Sequence, residues 1–223
     1  MQFSHDKAKN YEVLKNFAYE RGVRVFGVAP FSKIKFEIKG EIQGNFTACI
    51  SIGVPLSKAV LDTIFDRPTL VYKHHYKTVN WILDQIAYHM SEFIQETGYN
   101  ALPIAASQTV DWQNQYGHIS HKLVGYYAGC GFIGRSGLLI NPQYGPRVRY
   151  ATILTDLPLK FDEPIIGDCG DCMECVRACP ANAISKSGYD KMKCLAKLKE
   201  FAKIPGIGVY ICGVCIKVCP KGR

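Results

Sequence analysis

Apolar positions along the chain fall into helical stripes and short β-branched runs, and both give way to a cysteine-punctuated tail. From Asp6 to Arg21, Tyr11, Leu14, Phe17 and Ala18 recur at helical spacing and Gly22 follows as a stop, which predicts an opening amphipathic helix. Val23–Ala29 reads as a strand, residues 30–44 as irregular lysine-containing chain, and Phe46–Val54 as a buried strand closed by Pro55. The longest stripe runs from Tyr72 to Thr97, with Val79, Ile82, Leu83, Ile86, Ala87, Met90 and Phe93 on one face, and predicts a central helix. A short strand at Ala101–Ala105, a polar loop at Ser107–Gly117 and a helix capped by Ser120 come next. Strands at Gly137–Ile140 and Val148–Leu154 complete the series.

Periodicity fades over Lys160–Asp168, which carries Pro164 and Gly167, and the chain is expected to divide there into residues 1–160 and 161–223. The tail holds cysteine loops and two short helices, around Met173–Ala178 and Lys191–Lys203. A chain of 223 residues with 48% apolar content can bury one good core and carry a small appended module.

No apolar run is long enough to span a bilayer, and the charged first twenty positions do not read as a signal peptide. Ten cysteines without an export signal point to a reducing cytoplasm and to metal ligation rather than disulfides. The net charge of +8 is unevenly placed, because residues 185–223 hold nine Lys and Arg against two acids. Those lysines either offset the negative charge of bound metal clusters or form a docking face for an acidic donor protein or a nucleic acid.

The chemistry lies in Cys169-x2-Cys172-x2-Cys175-x3-Cys179-Pro180 and Cys212-x2-Cys215-x3-Cys219-Pro220. The first is the run of bacterial ferredoxins, whose fourth cysteine ligates the other of two clusters. By that logic Cys169, Cys172, Cys175 and distant Cys219 hold one [4Fe–4S] cluster. Cys179, Cys212 and Cys215 hold a second, with Cys194 filling the vacancy as the remaining cysteine in this part of the chain. Zinc or disulfides are the rival readings of C-x2-C pairs, but neither needs a third cysteine at the same interval. Cys49, in an apolar run, and Cys130, between glycines, read as packed side chains.

Gly129-Cys130-Gly131-Phe132-Ile133-Gly134-Arg135-Ser136-Gly137 exposes backbone that a large ligand could approach. Its G-x-G-x-x-G follows a helix and precedes a strand, the reverse of the order a dinucleotide fold requires.

From Gly129 to Pro158, through Leu138-Leu139-Ile140-Asn141-Pro142, Tyr144-Gly145 and Leu154-Thr155-Asp156-Leu157-Pro158, and on through the eight cysteines, the chain resembles epoxyqueuosine reductases and related reductive dehalogenases. The resemblance is close from about Ala128 to Pro220 and diffuse before it. It implies an α+β fold, a nitroreductase-like α/β sandwich with a C-terminal ferredoxin-like dicluster module. It also implies that two [4Fe–4S] clusters feed electrons to a bound corrinoid, a cobalamin, which reduces a small-molecule or modified-nucleoside substrate. Arg135 and Ser136, with Gly137 beside them, are then expected near the corrinoid. Gly213 and Val214 are expected at its edge, and Tyr76 either lines the pocket or packs at its helix start.

The family's C-terminal helical repeats, used on transfer RNA, have no counterpart after Pro220, so a nucleic acid is not the favoured partner. The catalytic aspartate is replaced by Ala106 or, on an ungapped count, by Gln115; Asp111 is the nearby candidate to stand in for it. His118 and His121, three apart, could face one side as a cobalt ligand or proton donor. An acidic ferredoxin or flavodoxin is the expected electron donor. The rival functions are an electron carrier or cobalamin-handling protein with no substrate of its own, and a flavin-dependent reductase.

Overall fold

A computed structural model describes residues 3–222. In chain order the elements are α1 (Lys7–Glu20), β1 (Val25–Pro30), β2 (Ala48–Pro55), α2 (Lys58–Asp62), α3 (Leu70–Gln95), β3 (Ala101–Ile104) and α4 (His121–Tyr127). They continue with β4 (Phe132–Ile133), β5 (Leu139–Ile140), β6 (Val148–Thr155), α5 (Glu174–Ala178), β7 (Ile184–Ser185), β8 (Gly188–Tyr189), α6 (Lys191–Ala202) and α7 (Val214–Lys217). Among the described residues no helix is long and apolar enough to cross a membrane.

Two compact units emerge, and they do not follow a single cut near residue 160. The first comprises the chain up to Val54, Asn80–Gly131 and Arg149–Ile165; the second comprises Pro55–Val79, Phe132–Val148 and everything from Ile166 onward. The grouping differs from a single cut because the cysteine loops pack on segments far away in sequence. A Cβ on Gly213 would lie 2.5 Å from Ile64 and 2.9 Å from Tyr72, and one on Gly134 would lie 3.3 Å from the Cys169 sulfur.

The first unit is built on a sheet of order β1-β2-β6-β3. β1 and β2 run antiparallel from Val25↔Gly53 to Pro30↔Ala48, and β3 and β6 run antiparallel from Ala101↔Thr155 to Ile104↔Thr152. Six consecutive β2 residues, Ala48 to Gly53, are buried, as expected of an apolar run covered on both faces. α1 starts at Asp6, whose carboxylate accepts from the amides of Ala8 and Lys9 at 3.0 and 3.1 Å. Leu14 of α1, Leu83, Met90 and Ile94 of α3, and Ile50 and Ile153 of the sheet are completely buried. Each such side chain contributes about 1.5–3 kcal/mol of burial. Asp162 ties the unit's last segment to β1 and α1, accepting from the Val28 amide at 2.8 Å and from the Tyr11 hydroxyl.

α4 begins where expected, with Ser120 Oγ accepting from the Leu123 amide. His118 lies outside that helix and pairs through Nδ1 with the Lys39 carbonyl at 2.9 Å, so the two histidines do not form one helical face. His121 is fully engaged: Nε2 donates to the Ala105 carbonyl at 2.9 Å, and Nδ1 then accepts from the Thr152 hydroxyl at 2.8 Å. Burial, opposed by the hydrogen bond to Ala105 and aided by a smaller push from Arg149, lowers its pKa to about 4. The unfolded chain therefore binds a proton at about pH 6.5 that the folded chain refuses until about pH 4. Stability from His121 is complete above the higher value and is lost as pH falls toward the lower, by at most about 1.4 kcal/mol per pH unit. Urea titrations between about pH 7 and 5 should show this slope in the parent and a flatter one in His121→Gln.

In the second unit the first turns of α3, capped by the Thr69 hydroxyl at the Tyr72 amide (3.1 Å), pack with the tail. Lys73 Nζ donates to the Gly206 carbonyl at 2.6 Å. The glycine-rich stretch follows α4 as expected, with residues 129–131 leading into β4, and its second half is a further turn. Phe132 and Ile133 pair with Ile140 and Leu139, and Gly134 to Gly137 form the hairpin turn, closed by the Gly134 amide on the Leu138 carbonyl at 2.8 Å. β7 and β8 form a second small hairpin, and Asp190 caps α6 through the amides of Met192 and Lys193, both at 3.0 Å.

Candidate metal centre

Local structure explains why the tail's cysteines converge. The Cys172 amide closes a turn on the Cys169 carbonyl at 3.1 Å, Cys175 lies within α5 and Cys179 caps its end. Cys194 projects from the first turns of α6, Cys212 precedes α7, Cys215 lies within it and Cys219 follows it. α5 packs against α7, which brings the two runs side by side.

The electrostatics sort these thiols. Burial, then the neighbouring thiolates of Cys169, Cys172 and Cys219, push the Cys175 thiol up. Cys215 is pushed well up by burial, then by Cys212, Cys194, Cys175 and Cys179. Cys212 is pushed up to about 11 by burial, offset by the Val214 amide, with Cys194 and Cys179 adding to the rise. Burial also raises Cys194, offset by the Tyr189 hydroxyl, with Cys179 adding to the rise. Two sets of four result: Cys169, Cys172, Cys175 and Cys219, and Cys179, Cys194, Cys212 and Cys215. Cys175 also adds to the rise of Cys215, so the two sets adjoin.

Donors converge on the sulfurs. The Arg135 amide donates to Cys169 Sγ at 3.3 Å and the Ala183 amide to Cys179 Sγ at 3.4 Å. Tyr189 directs its hydroxyl at Cys194, and its own pKa is raised by burial first and by that thiol second. Around one tetrahedral zinc, thiolates sit roughly 3.8 Å apart. Among the described residues no three His, Cys, Asp or Glu side chains close on a single-ion site of any kind.

The remaining candidates have internal partners. The Arg135 guanidinium donates to the carbonyls of Lys186 and of Gly170, the latter at 2.8 Å, clamping the glycine hairpin to the cysteine loops. Ser136 is 8% exposed, and Gly137, at φ +71°, leaves space that the Tyr189 ring fills. Gly213, at φ +86°, is crowded by Ile64 and Tyr72, and Val214 is buried. Tyr76 is half-buried with its ring 6.3 Å from that of Tyr72. Asp111 accepts from the Asn114 amide and side chain, both at 2.9 Å, as the anchor of a tight loop. Cys49 and Cys130 are buried in the first unit, with thiols pushed up to about 12 by burial.

Sequence reasoning passed over Asp84. From α3 it accepts the Ala106 amide at 2.8 Å, placing a carboxylate beside one of the two positions, Ala106 and Gln115, expected to replace the aspartate. Its only signal in the sequence was a charged residue directly after the buried Leu83.

No family model matches the chain. An epoxyqueuosine reductase of Staphylococcus aureus is 34% identical over 116 residues, 48% of this chain. The chain resembles epoxyqueuosine reductases. It spans 30% of that relative's length. A solved epoxyqueuosine reductase, in a structure with an epoxyqueuosine-modified stem loop of tyrosine transfer RNA, shares the fold with a TM-score of 0.64. That likeness covers 96% of this chain and 65% of the other at 20% identity. A reductive dehalogenase, whose structure suggests a mechanism for B12-dependent dehalogenation, superposes with a TM-score of 0.81 at 22% identity. There the match covers 98% of this chain and 32% of the other, so the mixed α/β fold is common to epoxyqueuosine reductases and reductive dehalogenases.

Proposed function

We propose that the protein is an iron–sulfur oxidoreductase of the epoxyqueuosine reductase type. In this reading Cys169, Cys172, Cys175 and Cys219 hold one [4Fe–4S] cluster and Cys179, Cys194, Cys212 and Cys215 a second. The observation that supports it is the gathering of eight thiols, drawn from two cysteine runs and the intervening α6, into two adjoining sets of neighbours. Thiolates are the ligands such clusters take, and amide and hydroxyl donors aimed at the sulfurs favour the reduced state. Clusters of this kind supply one-electron transfer; the chain supplies ligands, burial and donors. Thiols in this number suit a reducing compartment.

A bound corrinoid would supply low-valent cobalt as the final reductant, as the resemblance to B12-dependent dehalogenation implies. The residues named for it do not form an open cradle. Gly213 is filled by Ile64 and Tyr72, Val214 is buried, and Arg135 is held by two carbonyls, so the case for the corrinoid rests on the relatives. The substrate is to be sought first among modified nucleosides, given the stem loop on a protein of the same fold, and then among small molecules. A carrier with no substrate of its own is the second reading, favoured by the engagement of the Asp111 carboxylate within its own loop.

Anaerobic reconstitution with iron, sulfide and cobalamin tests all of this. About eight irons per chain are expected, and about four or fewer would overturn the two-cluster reading. Bound cobalt supports the reductase, a yellow chromophore released on denaturation supports a flavin enzyme, and clusters alone support the carrier. In the loaded protein Tyr189→Phe removes one donor to Cys194. One cluster should fall in potential by on the order of tens of millivolts, about 59 mV being tenfold for one electron, while the other holds. A redox titration followed by electron paramagnetic resonance reads this directly.

A further inference from the structure

The second unit carries a hollow of about 290 Å³ whose lining includes Lys58, Arg147, Lys217, Lys221, Cys219 and a single acid, Asp62. Four cations against one carboxylate make it strongly positive, and Cys219 belongs to the first thiol set. Two of the cations are fixed from behind. Arg147 donates to the carbonyls of Leu56 at 3.0 Å and Gly222 at 3.1 Å, and Lys217 donates to those of Ile64 and Asp62. Lys58 and Lys221 are exposed, and neither joins an ion pair among the described residues. Gly145 and Gly222 interlock below the hollow, where a Cβ on Gly145 would lie 1.9 Å from the Lys221 carbonyl, so the wall carrying Lys221 is held in place.

We propose that this hollow is where an acidic one-electron donor protein docks and delivers electrons to the site of Cys169, Cys172, Cys175 and Cys219. The proposal rests on the two-cluster reading and assigns its point of entry. Facing carboxylates would meet fixed positive charge beside Cys219, so attraction would bring the donor to a ligand of the first cluster. No bond is made or broken: the donor is oxidised by one electron and the first cluster is reduced by one. Fixed cations with exposed lysines beside them are the arrangement that steers encounter and makes its rate depend on salt.

The test uses the reconstituted full chain with reduced flavodoxin as the acidic donor and reduced methyl viologen as a small cationic one, followed by stopped-flow spectroscopy. The pair Lys58→Glu and Lys221→Glu should slow reduction by flavodoxin about tenfold or more at low salt and flatten its salt dependence. Lys58→Gln with Lys221→Gln should give a smaller loss of the same kind. Reduction by methyl viologen, iron content and the cluster spectrum should stay as in the parent. Unchanged flavodoxin rates would overturn the proposal, as would unchanged rates accompanied by lost binding of a transfer-RNA stem loop, which would assign the hollow to nucleic acid. Iron at about four per chain or below in the parent would overturn the cluster reading itself before any donor is added.

Discussion

Replacing Cys194 with alanine should leave the oxygen-protected protein with about half of its iron and sulfide, the first cluster intact and the second absent or degraded. Cys194 stands apart from both cysteine runs, and without the fold it is one lysine-flanked residue in an amphipathic helix. The fold gives it three distinguishing neighbours. Cys179 adds to the rise of its thiol, it adds in turn to the rise of Cys215, and the Tyr189 hydroxyl donates to its sulfur. It is also the member of its set whose segment has its own helix cap, Asp190, so its removal should not unravel the loops that carry the others. Cys49→Ala is the control, because that thiol is fully buried in β2 with its pKa pushed up to about 12 and belongs to neither set. Iron, sulfide and paramagnetic resonance on the two variants decide the matter. Equal iron in both would remove Cys194 from the ligand set and leave the second site one thiolate short.

What the sequence revealed and what it hid divide along one physical line, the distance over which a signal acts. Asp6 before a stripe of apolar residues, the unbroken apolar run of β2 and Ser120 ahead of α4 are local signals, and each produced the expected element within a few residues. Cysteine spacing is also local, since it fixes how a loop wraps a ligand. The two-residue strands β4, β7 and β8 were missed because two residues cannot show an alternation, whereas β5 lies within the strand expected at Gly137–Ile140. The composition of the compact units is not legible in the sequence for a stronger reason. Residues 55–79 and 132–148 join the tail through contacts such as Gly213 on Tyr72 and the Arg135 amide on Cys169 Sγ, which no sequence window contains. The roles expected for Arg135 and Gly137 came from resemblance alone, and in the fold both are engaged by the tail's own carbonyls and the Tyr189 ring.

Gly27→Ala should be the most destabilising single methyl group that can be added to the first unit. Gly27 sits in β1 opposite Ser51, in a backbone conformation that any residue adopts, so strain in its own dihedrals is not the issue. The obstacle is a neighbour: a Cβ there would fall 2.0 Å from the Ala128 carbonyl oxygen and 3.1 Å from its carbon, where α4 ends against the strand. Backbone cannot swing aside as a side-chain tip can. Ala128 is held by its amide on the Val124 carbonyl at 2.8 Å, and β1 is paired along its length with β2, so either the helix end or the strand must shift. Overpacking of this kind costs about 1–3 kcal/mol or more, which for a chain of this size lowers the melting temperature by roughly 2–12 °C. Gly22→Ala supplies the comparison: its φ of +96° makes a side chain strained, yet nothing lies within 4 Å of the added carbon. That change should cost about 1 kcal/mol from the backbone alone. If thermal unfolding followed by circular dichroism gave the two variants equal losses, the close approach of β1 to the end of α4 would be wrong. With it would go the packing that sets where the glycine-rich chain leaves the first unit.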